Sequence, residues 1–484
     1  MKADLKSSLV GRFGGAFVLA FFLVSFVHAE VKLAHIFSDN MVLQQQSKVS
    51  VWGWAKAKSI VKITPSWDGK VYAVQAGQDG KWRTSIATPK AGKTAYQITF
   101  SDGKPVTLKN VLIGEVWLCS GQSNMEMPMK GFKGNPVLNS NMEILKSKNP
   151  MLRLITVKRN GQLEPTDDIT GSWEEASPET VKEFSATGYY FGKLLNESLD
   201  VPVGLILSSW GGSTIEAWMS KEMLKDFPDT KLPQKGDSIK LPNRTPLMLF
   251  NGMLNPIIGY GIKGCIWYQG ESNYEFPDQY PALFKKMVSS WRQLWDEGDF
   301  PFYYCQIAPY NYASISPKEK WGGKYNSAYL REAQYKSQKL IPNAGMVSLM
   351  DIGEEFCIHP MHKNVPGERL ALMALGKTYG LTGFAYESPT FKEMTVENGK
   401  ATITFENAPL WLTSFGKELK IFEIAGDDKV FHPAKAVINR AKVEVSSPDV
   451  PKPVAVRYAF QDFVVGDLFG TEGLPVSSFR TDNW

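Results

Sequence analysis

A serine hydroxyl becomes a nucleophile only when a base stands within hydrogen-bond reach, and one serine of this chain is placed for such use. Gly121-Gln-Ser-Asn-Met125 follows an apolar run over residues 111–119 that reads as a buried strand of a parallel sheet. Gly121 allows the sharp turn at the end of that strand, which presents Ser123 at its carboxyl edge, where ligands of open α/β sheets gather. The usual base is histidine, whose ordinary pKa of about 6.5 lets it take and return a proton near neutrality. The chain has five histidines. His28 lies in the first 29 residues, and His35 and His432 lie in stretches of short β patterns. His359 and His362 remain, both after a strand-like run that ends at Met350 and on the same predicted edge as Ser123. Pro360 stiffens the backbone of His359 just before a helix that carries His362 near its start.

Structural uses compete for the same residues. A serine after a strand is more often a helix cap or turn residue. The pattern is also not the Gly-x-Ser-x-Gly elbow, because Met125 stands where the second glycine belongs. Cys357 is a rival nucleophile, since residues two apart on an extended segment share a side and it is two from His359. Its neighbour Ile358 argues for burial instead. Cys119, Cys265 and Cys305, with Cys357, lack Cys-x-x-Cys zinc spacing, and their even number leaves disulfides open in an exported chain.

The elements that must position these groups follow from the hydrophobic pattern. Residues 30–110 form short alternating runs separated by Asp68-Gly69, Asp79-Gly80 and Asp102-Gly103, the spacing of a β-sandwich domain. Trp52, Trp54, Trp67 and Trp82 of this region could stack on sugars, although tryptophans at alternating positions usually fill a core. Over 111–385 the pattern alternates strand and helix, with strands at 203–209, 264–268, 302–308 and 345–350 and helices near 184–195, 280–294, 328–340 and 370–375. Such alternation implies parallel strands joined by right-handed helical crossovers. Residues 386–484 return to short β runs, as a further domain or as the completion of the first.

Residues 1–29 read as a secretory signal peptide: Lys2, Lys6 and Arg12 precede a 16–27 apolar run too short to span a bilayer, and Val27-His28-Ala29 supplies small residues for cleavage. Its removal takes three bases and one acid, Asp4, so the net charge of +5 becomes +3. That near-neutral balance argues against nucleic acid, and no later stretch has membrane length. A secreted or periplasmic protein with no membrane insertion follows; its oligomeric state is open.

Five ordered motifs, Gly121-Gln-Ser-Asn-Met125, Trp210-Gly-Gly-Ser213, Trp267-Tyr-Gln-Gly-Glu-Ser-Asn273, Leu330-Arg-Glu-Ala-Gln334 and Ile358-His-Pro-x-x-Lys363 with Gly367-x-Arg-Leu370, resemble the sialate O-acetylesterase family of the SGNH hydrolases. The closing Phe479-Arg-Thr-Asp482 adds to the likeness. The resemblance implies a flavodoxin-like three-layer α/β domain with flanking β-rich regions, and a serine esterase without metal or cofactor that removes acetyl groups from sugars. By position, Ser123 would attack, His359 would be its base, and the backbone N–H groups of Ser123 and Gly212 would receive the oxyanion. The wider group takes a further donor from Gly-x-Asn-Asp. Here Gly270-Glu-Ser-Asn273 stands instead, which leaves Asn273 or Gln269 for that role. The acid that orients the histidine is expected three residues before it, where this chain has Phe356, so Glu354, Glu355, Asp351 or a backbone carbonyl would serve. The family favours an O-acetylated sialic acid or sialoglycan, most of all the 9-O-acetylated form, with Arg153, Arg331 and Lys363 as partners for its carboxylate or as structural residues. Acetylxylan and other acetylated glycans suit the same chemistry. A carbohydrate-binding protein without catalysis is the alternative of another class.

Overall fold

The computed structural model describes residues 30–315 and 327–484, so the expected signal peptide lies outside the described residues. Six parallel strands among these residues build the central sheet: β1 (Pro105–Gly121), β2 (Asn149–Thr156), β3 (Val203–Ser209), β4 (Gly264–Tyr268), β5 (Phe302–Cys305) and β6 (Ala344–Val347). Their order across the sheet is β2-β3-β1-β4-β5-β6, with Glu174–Ala176 antiparallel at the β2 edge. Nearly every residue of β3, β4, β5 and β6 is buried, as expected for strands covered on both faces.

Alternate residues face two cores. Cys265 and Trp267 of β4, with Phe302 and Tyr304 of β5, face one side, and Ile266, Tyr268, Tyr303 and Cys305 face the other. The first face is covered by α-helices at Tyr280–Trp295 and Ala328–Leu340, the second by helices at Ala186–Leu199 and Asn364–Lys377. The result is three layers. The Tyr280–Trp295 helix buries Leu283, Phe284, Met287, Val288, Trp291 and Trp295, a stripe of helical spacing, and stops at Asp296 in a left-handed conformation (φ 57°). The Ala186–Leu199 helix starts at Ser185, whose Oγ accepts from the Gly188 N–H at 2.9 Å. Helices at Ala186–Leu199 and Asn364–Lys377 approach closely because Gly367 has no side chain; a Cβ there would lie 2.6 Å from the Thr187 carbonyl oxygen.

The two flanking β regions join this layer structure differently. β1 is 17 residues long. Its first half pairs with Gly92–Ser101 in the N-terminal region and its second half with β3 and β4, so the boundary expected at 110 falls inside one strand. The N-terminal residues Val51, Ile63 and Phe100 share a core with the central sheet. The C-terminal region forms two four-stranded antiparallel sheets and a two-stranded one around its own core of Ile403, Phe422, Ile424, Val443 and Tyr458. No described strand of one β region pairs with the other. Arg331, fully buried, docks the C-terminal region by donating to the carbonyls of Ala459 and Gln461, and Arg480 of the closing motif meets Glu332 at 3.1 Å. No described helix is long and apolar enough to cross a membrane. The four cysteines carry free thiols, so the disulfides left open by their number are absent among the described residues.

Candidate active site

The ends of β3, β1 and β4 lie side by side, with Ser209 beside Gly121 and Gly121 beside Tyr268. Their following loops therefore start together. Gly121 has φ +136°, and a Cβ on it would sit 2.2 Å from the Tyr268 carbonyl oxygen, so only glycine lets the two strand ends converge. Gln122 stitches the loops: its N–H donates to the Tyr268 carbonyl at 2.9 Å and its Oε1 accepts from the N–H groups of Gly270 and Ser272 at 3.4 and 3.2 Å.

Ser123 opens a one-turn helix, Ser123–Glu126, and is partly exposed. Gly211 packs directly on it: a Cβ there would stand 3.3 Å from the Ser123 Cβ. Glu126 accepts from the Gly211 N–H at 2.7 Å and from Arg159 through two 2.6 Å bonds, and the guanidinium lies over the Trp210 ring. Gly212 follows with φ +70°, and its N–H has no hydrogen-bond partner among the described residues.

The histidine arrives from the far side of the sheet, on the loop after β6. Asn124 draws that loop in, because its Nδ2 donates to the Ile358 carbonyl at 3.0 Å. The residue after Ser123 is thereby bonded to the residue before His359. The His359 Nδ1–H donates to Asn135 Oδ1 at 2.9 Å, and the Phe132 ring meets the imidazole edge to face at 5.3 Å. Phe132 and Asn135 sit on one tight turn, their backbones bonded to each other, with Gly131 before it at φ +82° and Gly134 within it at φ +78°. Burial, and then the charge of Lys363, pushes the His359 pKa down to about 4, which keeps the ring neutral at pH 7.

The three carboxylates expected behind His359 have other surroundings. Asp351 is bonded to Arg369 at 2.7 and 2.6 Å; Glu354 Oε1 accepts from the Met361 N–H at 2.7 Å; Glu355 is exposed, as is Phe356. An amide from a distant turn holds the position instead. The Cys357 thiol donates to the His359 carbonyl at 3.2 Å and lies 3.4 Å from Asn135 Oδ1, the oxygen that the imidazole also meets.

Gln269 and Asn273 are buried and serve the scaffold. Gln269 Nε2 donates to Asn273 Oδ1 at 2.6 Å and to the Ser213 carbonyl at 3.0 Å; Asn273 accepts from the Ile215 N–H and donates to Glu216. Together they pin the loop that carries Gly212.

Beneath the serine lies a buried charge pair whose position the motif spacing alone does not reveal. Glu271 and Lys363 are almost fully buried, and Asn124 stands between them: its Nδ2 donates to Glu271 Oε1 at 2.6 Å and its Oδ1 accepts from Lys363 Nζ. Burial raises the Glu271 pKa and lowers that of Lys363 to about 8. Arg153 is also interior, bonded to the carbonyls of Pro150 and Asn40. Arg153, Arg331 and Lys363 are thus all spent within the protein. Among the described residues no group of three or more His, Cys, Asp or Glu could hold a metal ion.

The profile of the carbohydrate esterase, sialic acid-specific acetylesterase family matches residues 113–371, from within β1 to the middle of the Asn364–Lys377 helix. The chain belongs to this family. It is similar to the human sialate O-acetylesterase, 29% identical over 433 residues that cover 81% of this chain and 80% of that protein. The mouse sialate O-acetylesterase is 26% identical and covers 78% of this chain and 79% of its own. A carbohydrate acetylesterase of known structure from Xanthomonas citri is 34% identical, covers 94% of this chain and all of its own, and superposes with a TM-score of 0.83. The chain is a carbohydrate O-acetylesterase of the sialate O-acetylesterase type.

Proposed function

We propose that the protein hydrolyses O-acetyl esters of sugars through an acetyl-enzyme on Ser123. Ser123 Oγ attacks the acetyl carbonyl while His359 Nε2 takes its proton. Asn135 holds the Nδ1–H, which fixes the tautomer that leaves Nε2 free to accept. The backbone N–H groups of Ser123 and Gly212 face the developing oxyanion; each such donor is worth on the order of 10²–10³ in rate. Collapse expels the sugar oxygen, which recovers the proton from His359, and water then releases acetate from Ser123 by the same path. The observation that carries this reading is the pair of asparagine contacts that bring the histidine loop to the serine turn, Asn124 to Ile358 and Asn135 to His359. The site works as a Ser-His pair oriented by an amide rather than by a carboxylate. Residues 1–29 carry the chain out of the cytoplasm, into the periplasm or the medium.

The family points to 9-O-acetylated sialic acid as the substrate. A second reading, an acetylated neutral glycan such as acetylxylan, is favoured by one observation: Arg153, Arg331 and Lys363 are all buried and bonded to the protein. Acetate release from 9-O-acetyl-N-acetylneuraminic acid and from acetylated xylo-oligosaccharides, measured side by side, separates the two. Release that persists in Ser123→Ala and disappears in Cys357→Ser would sink the serine mechanism, and binding without release would favour a lectin.

A further inference from the structure

A cleft of about 460 Å³ opens between the N-terminal β region and the central domain, away from Ser123. One wall is the antiparallel pair Lys48–Trp54 and Lys81–Ala87, in which Trp52 faces Arg83, Gly53 faces Trp82 and Trp54 faces Lys81. The other wall is Asp167 and the 255–258 turn. That turn precedes the first residue of β4, whereas Ser123 follows the end of β1, whose last residue lies beside the last residue of β4. The cleft is therefore at the opposite edge of the sheet from the candidate active site.

Its lining differs from an ordinary seam between packed regions. Trp82 is 3% exposed, yet its indole Nε1–H has no hydrogen-bond partner, a cost that packed interiors normally avoid. Trp54 is half-buried, and Lys32 Nζ lies 5.2 Å from the centre of its ring. Polar groups surround these rings. Lys81 and Asp167 form a 2.7 Å ion pair across the mouth, and both are substantially exposed. Arg83 lies 4.3 Å over the Trp52 ring and donates to the Ile258 carbonyl at 2.6 Å.

Aromatic surface with a few convergent donors and acceptors, in a cleft of this size, matches a polyhydroxylated ring: its C–H face packs on an indole and its hydroxyls meet the polar rim. Lys81 is matched by Asp167, and the Arg83 guanidinium is engaged by the Trp52 ring and the Ile258 carbonyl. We propose that this cleft is a second carbohydrate site, which holds a neutral pyranose of a glycan chain and leaves the catalytic edge free. Such an anchor raises the effective concentration of further acetyl esters on the same chain.

The test is calorimetric titration of the full-length protein with unacetylated xylohexaose and with sialyllactose, in wild type, Trp54→Ala and Asp167→Ala. Xylohexaose is expected to bind, with affinity weakened about tenfold in Trp54→Ala by loss of the stacking surface and less in Asp167→Ala. Asp167 is exposed, so its variant remains informative if Trp54→Ala does not fold. Hydrolysis of 4-nitrophenyl acetate, which needs only the Ser123 site, is expected to stay unchanged in both variants, so a failed sugar site is distinguished from a failed esterase. The proposal is overturned if xylohexaose does not bind, if both variants bind it as wild type does, or if only sialyllactose binds.

Discussion

The two halves of the site are built on different principles. The serine half sits where three adjacent strands end in register, and its shape follows from local chain features: a glycine at φ +136°, a second at φ +70°, and Gln122 bonded across to the next loop. The histidine half sits on a loop that leaves the sheet's edge strand, and its position depends on side chains far away in sequence. Asn124 and Asn135 reach it from 234 and 224 residues away. In the proposed mechanism, local geometry thus places the serine and long-range hydrogen bonds place the histidine.

The sharpest break of this contrast is Ser123→Ala, expected to lower kcat by on the order of 10⁵–10⁶ without loss of fold, since nucleophile removal in a serine hydrolase has that scale. Circular dichroism and acetate release check both halves of the statement. Next in size is Lys363→Met. It removes the cation that faces buried Glu271 across Asn124 and is expected to cost about 3–5 kcal/mol in urea unfolding, as leaving a buried charge uncompensated does. A change under about 1 kcal/mol would mean that Asn124 alone satisfies Glu271.

Asn135→Ala attacks the delivery of the base. A loss of about 10²-fold in kcat is expected, the low end of what positioned acid–base catalysis contributes, with little change in KM. Asn135→Asp sharpens the same point through pH. A general base works only when neutral, so activity falls as pH drops through the His359 pKa of about 4. An anion beside Nδ1 favours the imidazolium, so the acid limb of the rate profile moves to higher pH in this variant. An unmoved limb would show that Asn135 does not orient the ring. The smallest effect is expected for Glu355→Gln: the side chain is exposed, so both activity and stability should stay near wild type, within about 0.5 kcal/mol.

The same contrast explains what could be read from the chain. β3 and β4 coincide with the apolar runs at 203–209 and 264–268, because buried parallel strands are nearly continuous in apolar residues. β2 escapes that pattern, since Asn149–Thr156 contains a proline and Arg153, a buried arginine satisfied by backbone carbonyls rather than by solvent. On the site, the end of β1 at Gly121 and the edge location of His359 are legible from turn chemistry and order along the chain. Asn135 is not, because an asparagine after glycine reads as a turn former and no spacing links it to a histidine 224 residues later. A neighbouring glutamate is the natural guess behind His359, but residues within the 351–363 loop are occupied in shaping it: Asp351 holds Arg369 and Glu354 holds Met361. Glu271 stands in a quoted motif, yet its role became visible only once burial put Lys363 on the other side of Asn124.

The length of β1 bears on how this enzyme can be taken apart. Because one strand is the rib of both the N-terminal region and the catalytic sheet, shortening the chain to start near residue 111 would remove the first third of that strand together with the N-terminal partners of residues 111–114. The N-terminal region is therefore not a detachable accessory that can be exchanged between esterases. The C-terminal region, with its own core and a docking surface that includes Arg331, Arg480, Gln306 and Ser327, is the natural place for grafts and fusions.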